Sequence, residues 1–183
     1  MNKVFTSAVV IIPPKDTWEP IQEVRKQYDR QIKRWMPHIN LIYPFRPEKF
    51  FKELSLKFEK KCSDVSSFHL TLSEIRYFSH GKRNYTIWLA PEPEDLIKIL
   101  QEKILKIVPD CDDVIKYQNG YVPHLSLGQI TGSKDQLKKV LNQLQKEWIP
   151  LSFWVDIISL ISRKPNKNSR FQVLNEIKLN SAL

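Results

Sequence analysis

A pentapeptide that occurs twice narrows the choice of fold more than any other feature of this chain. Pro37-His38-Ile39-Asn40-Leu41 and Pro123-His124-Leu125-Ser126-Leu127 share the pattern Pro-His-apolar-polar-Leu, with their histidines 86 positions apart. Each lies in a stretch that reads as a strand entered through proline. Successive side chains of a strand alternate faces, so His38 shares a face with Asn40 and His124 with Ser126. The leucines and their apolar neighbours take the opposite faces and must be buried. The arrangement that satisfies both repeats is a pair of lobes, each packing its own apolar face, with both imidazoles pointing into the groove between them.

The rest of the chain fits a mixed α+β order. Lys3 to Ile12 is β-branched and apolar and reads as a buried strand ending at Pro13-Pro14. Ile21, Val24, Tyr28 and Ile32 recur at helical spacing until Pro37, after a cap at Asp16 or Thr17. A strand His38 to Tyr43 follows, then a helix carrying Phe50, Leu54, Leu56 and Phe58 that ends near Cys62. Phe68 to Phe78 and Tyr85 to Leu89 form a hairpin across Ser79 to Asn84. Pro91 to Val108 is a helix whose apolar face is Leu96, Ile99, Leu100, Ile104 and Ile107. The turn-rich segment Pro109 to Gly120 leads to a strand Val122 to Ile130 and a helix Ser133 to Glu147, with Leu137, Val140, Leu141 and Leu144 inward. Two strands close the chain, Phe153 to Ser162 and Phe171 to Leu179. Residues 1–183 read as one domain, and the loop before Tyr121 is the best place for a boundary between lobes.

Charge and cysteine content then limit the function. Lys and Arg outnumber Asp and Glu by 29 to 20, a net charge of +9 that favours anionic partners. Many of these lysines fall on helix faces, where charge is simply solvated. Cys62 and Cys111 fit neither a disulfide framework nor a zinc pattern and read as buried thiols in a reducing compartment. No apolar run approaches the ~20 residues of a membrane span, and no signal peptide is apparent, which points to the cytosol or nucleus. No membrane and no obligate protein partner is expected.

Paired histidines of this kind suit phosphoester chemistry. Opening a cyclic phosphodiester needs a base to take a proton from water and an acid to protonate the departing ribose oxygen. Imidazole, with an unperturbed pKa of ~6.5, can do either near neutral pH. The Asn40 amide and Ser126 hydroxyl can donate to non-bridging phosphate oxygens. Such a reaction requires no metal and no cofactor. The chain has no HExxH, no ligand-spaced His and carboxylate cluster and no P-loop pattern. A lone strand histidine is usually a hydrogen-bonded structural residue. Two in the same pentapeptide make a site.

At these residues the sequence resembles the two-histidine phosphoesterase superfamily, also called the LigT-like or 2'-5' RNA ligase and cyclic phosphodiesterase family, whose signature is a pair of His-x-Thr/Ser-x motifs. Trp35 to Phe45 resembles the first motif of a eukaryotic-type branch, and Pro123 to Gln129 the second. The Phe68 strand, Trp88-Leu89, Pro109-Asp110-Cys111 and Ile161-Ser162-Arg163 extend the resemblance over nearly the whole chain. It implies a bilobal α+β fold, with two antiparallel sheets flanking a central cleft and helices outside. It also implies acid–base catalysis by His38 and His124 on nucleotides or RNA ends bearing a 2',3'-cyclic phosphate. Asn40 departs from the commonest family residue, exchanging a hydroxyl for an amide.

Phe68-His69-Leu70-Thr71-Leu72 matches His-x-Thr-x more literally than the first motif does. It lacks the preceding proline and falls where the resembling family has a structural strand, so His69 is read as a partly exposed strand residue. His80 is read as a surface residue of the hairpin turn, with a substrate contact at the cleft edge as the alternative. Tyr43, Tyr121 and Arg163 are candidate substrate contacts, through stacking for the tyrosine beside the first motif and paired phosphate bonds for the arginine. Asp110, Asp112 and Asp113 read as turn and capping residues. Three functions follow: a cyclic phosphodiesterase, an ATP-independent 2'-5' RNA ligase, and a nucleotide- or RNA-binding module without turnover.

Overall fold

In the computed structural model, which describes residues 2–116 and 120–181, the apolar run near the start becomes β1 (Ser7–Ile11), with all five residues buried. Both its faces are covered: Val9 and Ile11 join the main core, while Ala8 and Val10 join a smaller cluster with Ile161 and Phe171. That double burial explains why the run shows no alternation.

The remaining elements are α1 (Trp18–Tyr28), β2 (Ile39–Ile42), α2 (Phe51–Cys62), β3 (Phe68–Ser79), β4 (Asn84–Glu92), α3 (Glu94–Leu105), β5 (Leu125–Thr131), α4 (Lys134–Glu147), β6 (Leu151–Val155), β7 (Ile157–Ser162) and β8 (Gln172–Lys178). The α+β class expected from the sequence is what forms. Among the described residues the strands make one curled antiparallel sheet in the order β6-β3-β4-β5-β2-β1-β7-β8. The order is palindromic in role: β5-β4-β3-β6 on one side of the centre answers β2-β1-β7-β8 on the other. Among the described residues the named strands of the two halves pair at Ile39 with Leu125, and outside them Ser66 bridges Asn180. Helix α1 packs on β5, α2 on β8 and α3, α3 on β2 and β4, and α4 on β3. Ser133 and Gln136 close α4 with a reciprocal capping box. No helix among the described residues is long and apolar enough to cross a membrane.

Four expectations are corrected. Helix α1 stops at Tyr28 and does not run on to Pro37, because Asp29 takes an extended backbone and its carboxylate accepts the Gln31 amide at 2.8 Å and the Arg25 guanidinium at 2.7 Å. The run from Phe153 to Ser162 is two strands, not one. It breaks at Asp156, so that β6 pairs with β3 in one half and β7 with β1 and β8 in the other. The loop before Tyr121 therefore divides no lobes, since β5 lies in the same half as β3 and β4. Finally, α3 is rotated relative to its expected phase, burying Ile97, Leu100 and Ile104 and leaving Leu96 and Ile99 exposed; Leu56 of α2 is likewise exposed. Part of the turn-rich Pro109 to Gly120 segment, 117–119, lies outside the described residues. In the rest, Asp110 pairs with Arg46, and Asp112 and Asp113 pair with Lys3 and Lys116.

Candidate active site

Strands β2 and β5 carry the two pentapeptides and lie side by side at the centre of the sheet. Carried one residue either way, the Ile39–Leu125 register sets His38 opposite Ser126 and Asn40 opposite His124. Cross-strand partners share a face, so all four side chains stand on one face as a two-by-two array with the histidines on its diagonal. Diagonal neighbours in such a ladder lie about 7–8 Å apart. The pair is electrostatically coupled, since charge on His124 disfavours protonation of His38.

Each motif strand also carries a bulge at the same place. Val9 and Val10 of β1 pair with Ile42 and Asn40, and Ile87 and Trp88 of β4 pair with Gly128 and Ser126. The extra residues are Leu41 and Leu127, the final leucines of the two pentapeptides. A bulge bends a strand and re-aims its side chains. Here both bulges fall after the His-x-polar triplets, so alternation holds across His38–Asn40 and His124–Ser126, and both leucines stay fully buried. After the second bulge Gly128 adopts φ +149°, and a Cβ there would overlap the Tyr28 carbonyl carbon. Glycine is what allows the end of α1 to press against β5.

The imidazoles are held alike. Nδ1 of His38 lies 2.7 Å from the Met36 carbonyl oxygen, and Nδ1 of His124 lies 2.8 Å from that of Val122, two residues back in both cases. A carbonyl only accepts, so each Nδ1 carries the proton and each neutral ring keeps its lone pair on Nε2. At His38 that lone pair accepts from the Asn40 amide at 3.2 Å. Asn40 Oδ1 is buried with no hydrogen-bond partner among the described residues.

Both rings sit among aromatics. His38 stacks on Trp35 at 4.5 Å, and Trp35 in turn stacks on Phe171 at 3.7 Å. His124 meets the edges of Phe78 at 5.0 Å and Trp88 at 5.8 Å. Burial in such surroundings disfavours the charged ring. It pushes His38 down to about 4, with the Arg25 and His124 charges adding to the effect and the Met36 carbonyl opposing it. Burial also lowers His124, against the Val122 carbonyl. His38 is therefore held neutral.

The other expected site residues have defined positions. Ser126 is half-buried beside Trp88. Tyr121 donates its hydroxyl to the Asn40 carbonyl at 2.7 Å, tying the second motif's approach to the first motif's strand. Tyr43 packs edge-on to Trp35 and donates to the Phe5 carbonyl at 3.2 Å. Arg163 lies over the Phe171 ring and donates to the carbonyls of Lys164 and Asn166, organising its own loop. His69 is exposed on β3 opposite Trp154, and His80 is exposed and within 2.9 Å of the Thr86 hydroxyl. Among the described residues no group of three or more His, Cys, Asp or Glu gathers where it could hold a metal ion.

Several residues of the site were not singled out by the sequence. Arg25 is buried, holds Asp29 through two bonds and donates to the Trp35 carbonyl at 2.9 Å, so it sets the segment that supports His38. Its signal was available: Ile21, Arg25 and Asp29 share one inward helical phase. Phe78 and Trp88 give no such signal, because their places depend on cross-strand register, and Trp35 lies in the irregular segment between α1 and β2.

With this geometry in view, comparison with known proteins is informative. A profile of the 2'-5' RNA ligase superfamily matches residues 13–167. A protein of Geobacillus kaustophilus (strain HTA426), provisionally named a phosphoesterase, is 24% identical over 160 residues, 86% of this chain and 88% of that one. The crystal structure of Escherichia coli LigT superposes with a TM-score of 0.66 at 16% identity, covering 98% of this chain and 99% of LigT. The same protein complexed with 3'-AMP gives 0.65 at 16% identity, covering 95% and 97%. A structure from Thermus thermophilus gives 0.64 at 14% identity, covering 96% and 98%. At these identities the structural likenesses establish the fold.

Proposed function

The chain belongs to the 2'-5' RNA ligase superfamily of two-histidine phosphoesterases, and from that premise we propose that it hydrolyses 2',3'-cyclic phosphates on nucleotides or RNA ends. One observation carries this reading: two imidazoles with identical carbonyl anchors, one Nε2 held by the Asn40 amide, stand diagonally across one four-residue array with an amide and a hydroxyl. The relative solved with 3'-AMP is consistent with nucleotide binding in this fold.

In the proposed reaction the phosphoryl group sits over the array, with its non-bridging oxygens accepting from Asn40 and Ser126. Water displaces the Asn40 amide from His38 Nε2. His38, held neutral, takes a proton from that water as its oxygen forms the new bond to phosphorus. The bond from phosphorus to one ribose oxygen breaks in line. His124, protonated when the phosphate anion is bound, gives its Nε2 proton to that oxygen, and a phosphomonoester and a free hydroxyl leave. The histidines end in exchanged protonation states and reset through solvent. Tyr121 and Arg163 act in this scheme as positioning residues, while Tyr43 lies beside Trp35 at the edge where a base or ribose would stack.

The test is product analysis. The protein, incubated with 2',3'-cyclic AMP in the presence of EDTA, should convert the five-membered cyclic phosphate to one monoester, read by ³¹P NMR. Failure to open any member of a panel of ribonucleoside 2',3'-cyclic phosphates would overturn the proposal. Joined product on adding 5'-hydroxyl RNA would reassign the direction to ligation.

A further inference from the structure

Strand β3 outruns its neighbour on the outer side. Strand β6 pairs with it only from Phe68 to Leu72, whereas β4 follows it as far as Ser79. Beyond that point side chains from the end of α4 meet the outer edge. The Trp148 indole donates to the Leu72 carbonyl at 2.8 Å, the Gln145 amide donates to the Ser73 carbonyl at 2.9 Å, and the Gln145 side-chain oxygen accepts the Ile75 N–H at 2.8 Å. A carboxamide that gives one bond and takes one across a strand edge does what a peptide group of an adjacent strand would do. Gln145 thus stands in for the first peptide of an absent strand.

Past Ile75 the substitute ends. Backbone groups alternate in direction along a strand, and the His80 N–H donating to the Asn84 carbonyl at 2.9 Å sets the phase: Arg76 and Phe78 turn toward β4, while Ile75, Tyr77 and Ser79 turn outward. The Ile75 carbonyl and both main-chain groups of Tyr77 therefore face a groove of about 580 Å³ between β3 and α4. Among the described residues no strand pairs with them there. The inner side of the groove is apolar, with Tyr77 40% exposed and Leu141 half-buried. Its rim is positive. Lys138 and Lys146 lie one turn to either side of Asn142, exposed and without an ion pair among the described residues. The carboxylate of Glu74, which also lines the groove, is already held by Arg76 at 2.5 Å.

We propose that the outer edge of β3 from Ile75 to Ser79 binds an extended acidic peptide of a partner protein as an added strand. The edge accommodates about five residues, or ~17 Å of strand. Main-chain bonds to Tyr77 supply the attachment, as in other cases of strand addition. Peptide side chains on one face lie against Tyr77 and Leu141 and are apolar; those on the other lie beside Arg76, where carboxylates are favoured, as they are at the lysine rim. The inference goes beyond phosphoester chemistry and does not depend on it, since neither His38 nor His124 belongs to β3 or α4.

Fluorescence anisotropy with the labelled peptide Asp-Ile-Asp-Phe-Asp-Ile-Asp tests it. The native protein should bind this peptide saturably. N-methylation of one alternate set of its amides should raise Kd by about tenfold or more, and methylation of the other set should not, because only one set faces β3. Bound peptide should slow amide hydrogen exchange, read by NMR, at Tyr77 and Ser79 but not at Ile75, which Gln145 already engages. Tyr77→Pro removes an outward N–H and no bond to β4, so it should weaken binding by about tenfold or more with a native circular dichroism spectrum. If that variant fails to fold, the two methylated peptides on the native protein decide. No saturable binding, equal effects of the two methylated sets, or binding without protection of Tyr77 would overturn the proposal. A dimer in analytical ultracentrifugation that Tyr77→Pro abolishes would assign the edge to a second copy of the chain and overturn it as well.

Discussion

Lowering the pH should unfold this protein partly through His38. Burial holds that ring neutral in the folded state, with its pKa pushed from an ordinary 6.5 down to about 4. The unfolded chain takes up the proton first, so the contribution is fully present above pH 6.5 and is lost as the pH falls from there toward 4. Across that window the loss amounts to about 3 kcal/mol, with a slope approaching about 1.4 kcal/mol per pH unit. The assay is urea denaturation from pH 7.5 to 4, run in parallel on the native protein and a His38→Gln variant, whose amide does not titrate. Subtracting the two curves removes the other titrating groups. The native protein should lose about 3 kcal/mol relative to the variant between pH 6.5 and 4. If the two stabilities run parallel with pH, His38 is not held neutral by its surroundings, and its assignment as the base loses its physical ground.

Other expectations follow from the same geometry. Arg25→Met should cost about 3–5 kcal/mol in a urea titration, because it leaves the Asp29 carboxylate buried without its partner; a loss under about 1 kcal/mol would show that the pair is dispensable. Gly128→Ala should be among the most damaging single substitutions, since the new Cβ meets Tyr28 backbone at a positive φ; a native melting temperature would refute the close packing of α1 on β5. The pH profile of kcat/KM for a cyclic nucleotide should climb through about 4 and be falling again before 6.5, because His38 must be neutral and His124, itself lowered, must be protonated. An optimum above pH 7 would contradict those assignments.

The repeated pentapeptide made the centre of the molecule readable. It located β2 and β5, their shared histidine face and the buried leucines, all of which depend on strand alternation alone. Helix phase was less legible where apolar residues lie on several faces: Ile97 and Ile99 are equally apolar, and only packing against β2 and β4 decides that Ile97 turns inward. The break at Asp156 was not legible at all, because no glycine or proline marks it and the chain changes partners rather than direction. The leucine bulges, the indole walls and the open edge of β3 likewise arise from pairings between distant strands and loops. Arg25 was the exception, with its inward phase visible in the sequence of α1.

The most direct measurement of the central claim is kcat for a 2',3'-cyclic nucleotide in His38→Ala, His124→Ala and the double variant. If one phosphoryl group is served by both rings, each single change should cost ~10² to 10⁴-fold, and the double variant little more than the worse single one. Either single variant turning over at the native rate would contradict it.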